Sequence, residues 1–121
     1  AGDWRTGRLW QHAWETTHPA LAWAAGDAAP PAVDLEASEG LVVLAVKPRR
    51  DVPGLLVRVW DALGLPRTAT ITIQGAATEV RRCDLLEYPT EPLPYRVDGG
   101  HTTIPLAVAP HAVETLALAF A

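Results

Sequence analysis

The sequence predicts an all-β fold, an immunoglobulin-like antiparallel β-sandwich of seven or eight short strands. From residue 32 onward, short apolar or alternating runs recur about every ten residues, with turn-forming residues between them. Glycine and proline are frequent, at 9 and 11 of 121 residues, which points to many turns. The aliphatic content exceeds the level typical of disordered chains, so the chain can bury a core.

Alternation and aliphatic runs predict the first strands. Residues 33–37 alternate apolar with acidic side chains, which is typical of a half-buried strand. Residues 41–47 form a continuous aliphatic run, and this predicts a central strand covered on both faces. That strand ends at Pro48, and residues 55–60 form the next one, with Trp60 expected in the core.

The middle of the chain predicts a hairpin and then a crossing. In residues 68–74, Ala69, Ile71 and Ile73 alternate with polar residues, so one face of this strand is buried. The short connection at residues 75–77 predicts a hairpin with a strand over residues 78–82. Three prolines follow within residues 89–94, and such a segment cannot be a central strand.

A second hairpin is predicted near the end of the chain. Asp98-Gly99-Gly100 lies between residues 95–97 and 101–108. Asp-Gly favours the positive φ angles that a primed turn requires, so these two segments are expected to pair. Residues 113–120 alternate again and predict the last strand.

The chain divides into a tryptophan-rich interdomain segment with a linker, residues 1–31, and a sandwich domain, residues 32–121. Four of the five tryptophans lie in the first part: Trp4, Trp10, Trp14 and Trp23. The spacing of Leu9, Trp10, Ala13 and Trp14 predicts a short helix that ends before Pro19. We interpret these tryptophans as a surface for interdomain packing. A local core and stacking on sugar rings are the alternatives.

Composition excludes several classes of function. The formal charge of −4 and the lack of a basic stripe argue against nucleic-acid binding. No apolar run is long enough to span a membrane. Cys83 is the only cysteine, so no internal disulfide forms, and we expect a buried thiol and a cytoplasmic protein. The chain contains no methionine, and we therefore expect it to be part of a longer polypeptide.

No residue pattern in the chain predicts catalysis or metal binding. The four histidines are too widely spaced for a zinc site on one element, and no cysteine pair assists them. Asp34 and Glu36 share one face of a strand, which is typical of a solvated face rather than a pair of catalytic carboxyls. No nucleophile elbow and no phosphate-binding glycine loop occurs.

Three segments of residues 41–118 stand out by their order and spacing. The first runs from Leu44-Ala45-Val46-Lys47-Pro48 through Asp51 to the predicted strand from Gly54 to Trp60, the second is Asp84-Leu85-Leu86-Glu87, and the third is the closing strand after Pro110. Together they resemble the C-terminal β-domain of glycoside hydrolase family 38 α-mannosidases. The closing strand is similar in part, because His111 and Ala112 replace the phenylalanine and glutamate usual there.

The resemblance implies a non-catalytic domain of a retaining α-mannosidase. Family members require zinc, and their catalytic residues and zinc ligands lie in an N-terminal α/β domain whose motifs do not occur here. The expected partners are therefore that catalytic domain of the same polypeptide and, through it, α-mannoside glycans. Residues expected to face the catalytic part or its cleft are Trp4, Trp10, Trp14, Trp23, Lys47, Asp51 and Arg58.

Two other functions stay open at this point. The chain could be a self-standing module that binds carbohydrate or protein, since a sandwich is a common scaffold for both and fold does not determine function. It could also be the C-terminal sandwich of another glycosidase family, which would change the sugar but not the role.

Overall fold

The chain forms two units, Ala1–Pro30 and Pro31–Ala121. A computed structural model describes residues 3, 4, 6–17, 33–36 and 39–121. The first unit contains α1 (Leu9–Thr17), which confirms the helix that the apolar spacing predicts. The second unit contains the strands β1 (Val33–Glu36), β2 (Leu41–Pro48), β3 (Gly54–Asp61), β4 (Arg67–Gln74), β5 (Ala77–Cys83), β6 (Pro89–Pro92), β7 (Arg96–Asp98), β8 (His101–Val108) and β9 (Val113–Phe120).

The strands form two antiparallel sheets, in the orders β1-β4-β8-β7 and β2-β3-β9-β5-β6. This confirms the all-β sandwich, with nine strands among the described residues where seven or eight were expected. Strand β6 lies within the proline-rich crossing, and it is an edge strand whose four residues are all exposed. The largest fully buried core side chains come from the inner faces of both sheets and include Val57, Val59, Ile71, Ile73, Ile104, Leu106, Leu116 and Leu118.

The hairpin between β7 and β8 is confirmed. Asp98 pairs with His101, so Gly99 and Gly100 form a two-residue loop. Their φ angles are +55° and +79°, the left-handed values that a type I′ turn requires. This turn is encoded locally because only glycine adopts both angles without a steric cost.

The predicted hairpin between β4 and β5 is wrong. Strand β4 pairs with β1 and β8, whereas β5 pairs with β9 and β6, so Gly75 and Ala76 connect the two sheets. The buried Thr102 hydroxyl explains how the chain passes from one sheet to the other between β4 and β5. It donates to the Gly75 carbonyl at 2.7 Å and accepts from the Ala77 amide at 2.8 Å, which satisfies backbone groups that a hairpin would have paired.

The aliphatic run of β2 does not form a central strand, because β2 lies at the edge of its sheet beside β3. Its side chains nevertheless pack on both faces at its start, where Leu41 and Val43 contact the core and Val42 is buried on the other face. Trp60 is also placed differently from the expectation. It is half-buried on the outer face of the five-stranded sheet, opposite Val42, and not in the core.

Candidate functional site

The β2–β3 connection holds a tight arginine–aspartate pair over the outer face of the five-stranded sheet. The Arg49 guanidinium donates from Nε to Asp51 Oδ1 at 2.9 Å and from Nη2 to Oδ2 at 2.5 Å. This bidentate hydrogen bond lowers the pKa of Asp51 to about 2 and raises that of Arg49. The Arg49 side chain is only 8% exposed, whereas Asp51 is open to solvent. The connection is thus fixed by charge pairing within three residues.

Gly54 leaves room for this arrangement. A Cβ atom at position 54 would lie 2.0 Å from the carbonyl oxygen of Leu118 on β9 and 3.0 Å from Cδ of Arg49. Glycine therefore allows the backbones of β3 and β9 to approach here while the arginine stem passes alongside.

The β5–β6 connection forms a rigid turn on the same face. Oδ1 of Asp84 accepts hydrogen bonds from the amides of Leu86 at 2.9 Å and Tyr88 at 3.0 Å. The amide of Glu87 donates to the Asp84 carbonyl at 3.0 Å. Glu87 has a φ angle of +74°, which is uncommon for a residue with a side chain and persists only where the surroundings fix it. The turn therefore holds the Glu87 carboxylate in one place.

Glu87 joins two of the residues that the sequence analysis singled out. Its Oε1 lies 2.5 Å from Nζ of Lys47 and 3.4 Å from Nη2 of Arg58. Arg58 also donates to Thr115 Oγ1 at 3.0 Å and to the Leu85 carbonyl at 3.2 Å. The hydrogen bond from Lys47 holds the pKa of Glu87 below its usual value. Lys47 on β2 and Arg58 on β3 thus both contact the carboxylate of Glu87, which lies in the β5–β6 connection.

A groove runs between the two connections, and we call it the outer-face groove. Its volume is about 380 Å³, within the range of ligand-binding clefts. A smaller hollow of about 60 Å³ adjoins it at Arg58 and Thr115. The charged and aromatic side chains that line the groove are Lys47, Arg49, Arg50, Asp51, Glu87 and Tyr88.

The floor of the outer-face groove is apolar. Leu56 and Ala117 line the groove, and together with Cys83 they form a small buried cluster that is separate from the main core. Cys83 is buried, as expected, and burial raises the pKa of its thiol. A thiol of this kind is not activated as a nucleophile, because the thiolate is the reactive form.

Exposed apolar side chains surround the groove. Val52 lies in the β2–β3 connection, and 39% of its surface is exposed. Leu85, Leu86 and Tyr88 lie on the β5–β6 side and are exposed at 66%, 77% and 67%. Scattered exposed apolar residues are ordinary on a protein surface, but four of them on the two connections that border one groove are typical of an interaction surface.

The remaining candidate residues belong to the N-terminal unit. Trp4 is exposed, and Trp10 and Trp14 on α1 are half-buried, while Trp23 lies outside the described residues. In the described part of the chain, no group of three His, Cys, Asp or Glu side chains converges on a point where a metal ion could bind.

Sequence reasoning found Lys47, Asp51 and Arg58 but missed three residues of this groove. Glu87 was noted only as part of a motif, because its distance from Lys47 in the sequence hides their contact. Arg49 and Arg50 lie in the loop after the strand that ends at Pro48, and neither is among the individual candidate residues. A signal for Arg49 was present, since an arginine two residues before an aspartate in a short loop can form an internal ion pair.

Comparison with known families gives one match. The model of the Glycosyl hydrolases family 38 C-terminal beta sandwich domain matches residues 40–116, which is more than half of the chain. No curated protein matches the sequence. No helix in the described ranges has the length and apolar character needed to cross a membrane.

Proposed function

Because the chain belongs to the family of C-terminal β-sandwich domains of glycosyl hydrolases family 38, we propose that it is the non-catalytic C-terminal domain of a retaining α-mannosidase. The family match over residues 40–116 is the observation that carries this proposal. The α-mannosidase activity and the retaining mechanism rest on the resemblance of the Lys47-Pro48, Gly54–Trp60 and Asp84–Glu87 segments. Hydrolysis is assigned to the catalytic part of the enzyme.

Zinc belongs to that catalytic part in this proposal. The described residues do not fit a zinc site, since no three ligand-type side chains come together and zinc requires at least three protein ligands. We therefore assign no ligand and no chemical step to this chain, and the metal would be held elsewhere in the enzyme.

The role proposed for the chain is to pack on the catalytic part and stabilise it. Its expected partners are that part of the same polypeptide and, through it, α-mannoside glycans. The lone, buried Cys83 is consistent with a cytoplasmic location, which we include in the proposal.

An activity assay tests this division of labour. The purified chain is expected to release no aryl group from an aryl α-mannoside, because the catalytic residues lie outside it. The catalytic part, produced separately, is expected to lose less activity over time when the chain is added. Turnover of the substrate by the chain alone would overturn the proposal.

A carbohydrate-binding module is the second candidate, and Tyr88 is the observation that favours it. Tyr88 is 67% exposed and lines the groove with Asp51, Glu87 and Arg50, and an aromatic side chain next to hydrogen-bonding groups suits a sugar ring. Calorimetric titration with mannosides at millimolar concentration tests this candidate. Binding that is lost in the Tyr88→Ala variant would support it over the packing role.

A further inference from the structure

We propose that the outer-face groove receives an acidic segment of the catalytic part, with a carboxylate bound by Arg49 and Arg50. The inference rests on the proposed function, because it names the surface through which the chain would contact its partner. A sugar bound in the groove would contradict this inference.

The buried side chain of Arg49 keeps one nitrogen without a hydrogen-bond partner among the described residues. The side chain is nine-tenths buried and lines the groove. Asp51 pairs with Nε and Nη2, but Nη1 is buried and has no hydrogen-bond partner among the described residues. A buried polar group without a partner is unfavourable. An additional acceptor at this guanidinium would remove that cost.

Arg50 places an exposed guanidinium at the groove. It forms no hydrogen bond or ion pair with the described residues. The next cation along the wall, Lys47, is already paired with Glu87. Arg50 is therefore available to an incoming group, and its planar guanidinium suits a carboxylate better than a lysine ammonium would.

The excess of cationic over acidic side chains around the groove favours an acidic occupant. The groove and its adjoining hollow are lined by four cationic side chains and two acidic ones, Asp51 and Glu87. The chain as a whole has a formal charge of −4. A locally positive groove in an acidic chain attracts acidic groups and repels basic ones.

The apolar residues around the groove select a polypeptide as the occupant. Val52, Leu85, Leu86 and Tyr88 are exposed on the two connections that border the groove, and covering them requires a larger apolar surface than a small anion provides. Polar contacts at the centre and apolar contacts around them are common at protein interfaces. The fixed turn at Glu87 means that this surface is already formed before binding, which lowers the entropic cost of association.

Charge reversal at Arg50 tests the site. The Arg50→Glu variant is expected to bind the separately produced catalytic part at least tenfold more weakly than the unchanged chain, and Arg50→Lys is expected to bind within about threefold. Arg96→Glu is the matched control, because Arg96 lies on β7 of the other sheet and its side chain is 81% exposed. Thermal unfolding of each variant establishes that it is folded.

Each outcome separates the two proposals. Binding that weakens with Arg50→Glu and not with Arg96→Glu supports the groove as the docking surface. Equal binding by both variants overturns the groove while the packing role stands. No binding by the unchanged chain overturns the packing role itself. Binding of a neutral mannoside that is lost in Arg50→Glu would show that the groove is a sugar site and overturn the inference.

Zero-length crosslinking identifies the occupant directly. In the Arg50→Lys variant, a carbodiimide joins the new amine to a carboxylate in contact with it as an amide, and the reagent leaves as its urea. Mass spectrometry is expected to find this bond to an aspartate or glutamate of the catalytic part. An Arg96→Lys control is expected to give no such product. Crosslinks confined to the chain itself, such as one to Asp51, would contradict the inference.

Discussion

The carboxylate of Asp61 and the guanidinium of Arg67 form a buried ion pair across the β3–β4 connection. Oδ1 lies 2.7 Å from Nε, and the two side chains are 0% and 7% exposed. The same carboxylate accepts hydrogen bonds from the amides of Leu63, Leu65 and His111. One side chain at the end of β3 thus organises its own loop and ties it to the β8–β9 turn.

Removing the charge at position 61 is expected to destabilise the domain strongly. Asp61→Asn keeps the shape but leaves the buried Arg67 without a counter-charge, and breaking a buried ion pair costs about 3–5 kcal/mol. Asp98→Asn is the control, because its pair with Arg96 is exposed, and such pairs contribute at most about 1 kcal/mol. Urea unfolding measures both, and equal losses would contradict the assigned role of Asp61.

Acid is expected to weaken the Glu87 cluster. The hydrogen bond from Lys47 holds the pKa of Glu87 below its usual value, so the folded state binds a proton less readily than the unfolded state. Its contribution to stability is therefore complete above the unfolded pKa and is lost as pH falls through the lower, folded pKa. Glu87→Gln removes this titration, and its stability should fall less than that of the unchanged chain between about pH 6 and pH 3. A steeper fall in the variant would contradict this account.

Gly54 and Gly100 are expected to resist substitution for different reasons. A Cβ at position 54 would clash with the Leu118 carbonyl oxygen at 2.0 Å, so Gly54→Ala should cost about 3 kcal/mol, at the upper end of the cost of overpacking. A Cβ at position 100 meets nothing within 4 Å. Gly100→Ala should cost only about 1 kcal/mol, because alanine would have to adopt a left-handed φ there. Chemical denaturation compares the two, and a smaller loss at position 54 would refute the proposed close approach.

Thr102 is expected to matter through its hydroxyl. Thr102→Val keeps the shape but leaves the Ala77 amide and the Gly75 carbonyl without their partner, and such groups cost about 1–3 kcal/mol when buried. Thr103→Val on the next position of β8 is the matched control, because the Thr103 hydroxyl forms no hydrogen bond with the described residues. Thermal unfolding measures the difference, and a Thr102→Val variant as stable as the control would rule out this explanation of the crossing between the sheets.

These contacts show which parts of the fold can be predicted from the sequence and which cannot. The β7–β8 hairpin follows from Asp98-Gly99-Gly100 alone, because the turn chemistry lies within three residues. The β4–β5 connection looks like a hairpin for the same local reason, yet it crosses to the other sheet through Thr102, which lies 25 residues after Ala77. An aliphatic run likewise cannot distinguish the edge strand β2 from a central one, since both can be packed on two faces.

Some residues of the candidate site can likewise be predicted from the sequence, and others cannot. Lys47, Asp51 and Arg58 are candidates because they lie in the Leu44–Trp60 segment that resembles the family. Glu87 reaches them through a turn fixed by Asp84 and a positive φ angle, and no pattern within residues 84–87 indicates which residues it contacts. The meeting of Lys47, Arg58 and Glu87 therefore depends on strand order, which the sequence alone does not supply.

Thermal unfolding of the separately produced catalytic part, with and without this chain, tests the central claim most directly. If the chain packs on that part, an amount about a hundredfold above the dissociation constant adds about 2.7 kcal/mol to its stability, and its melting temperature rises by several degrees. An unchanged melting temperature at every concentration of the chain would contradict the claim.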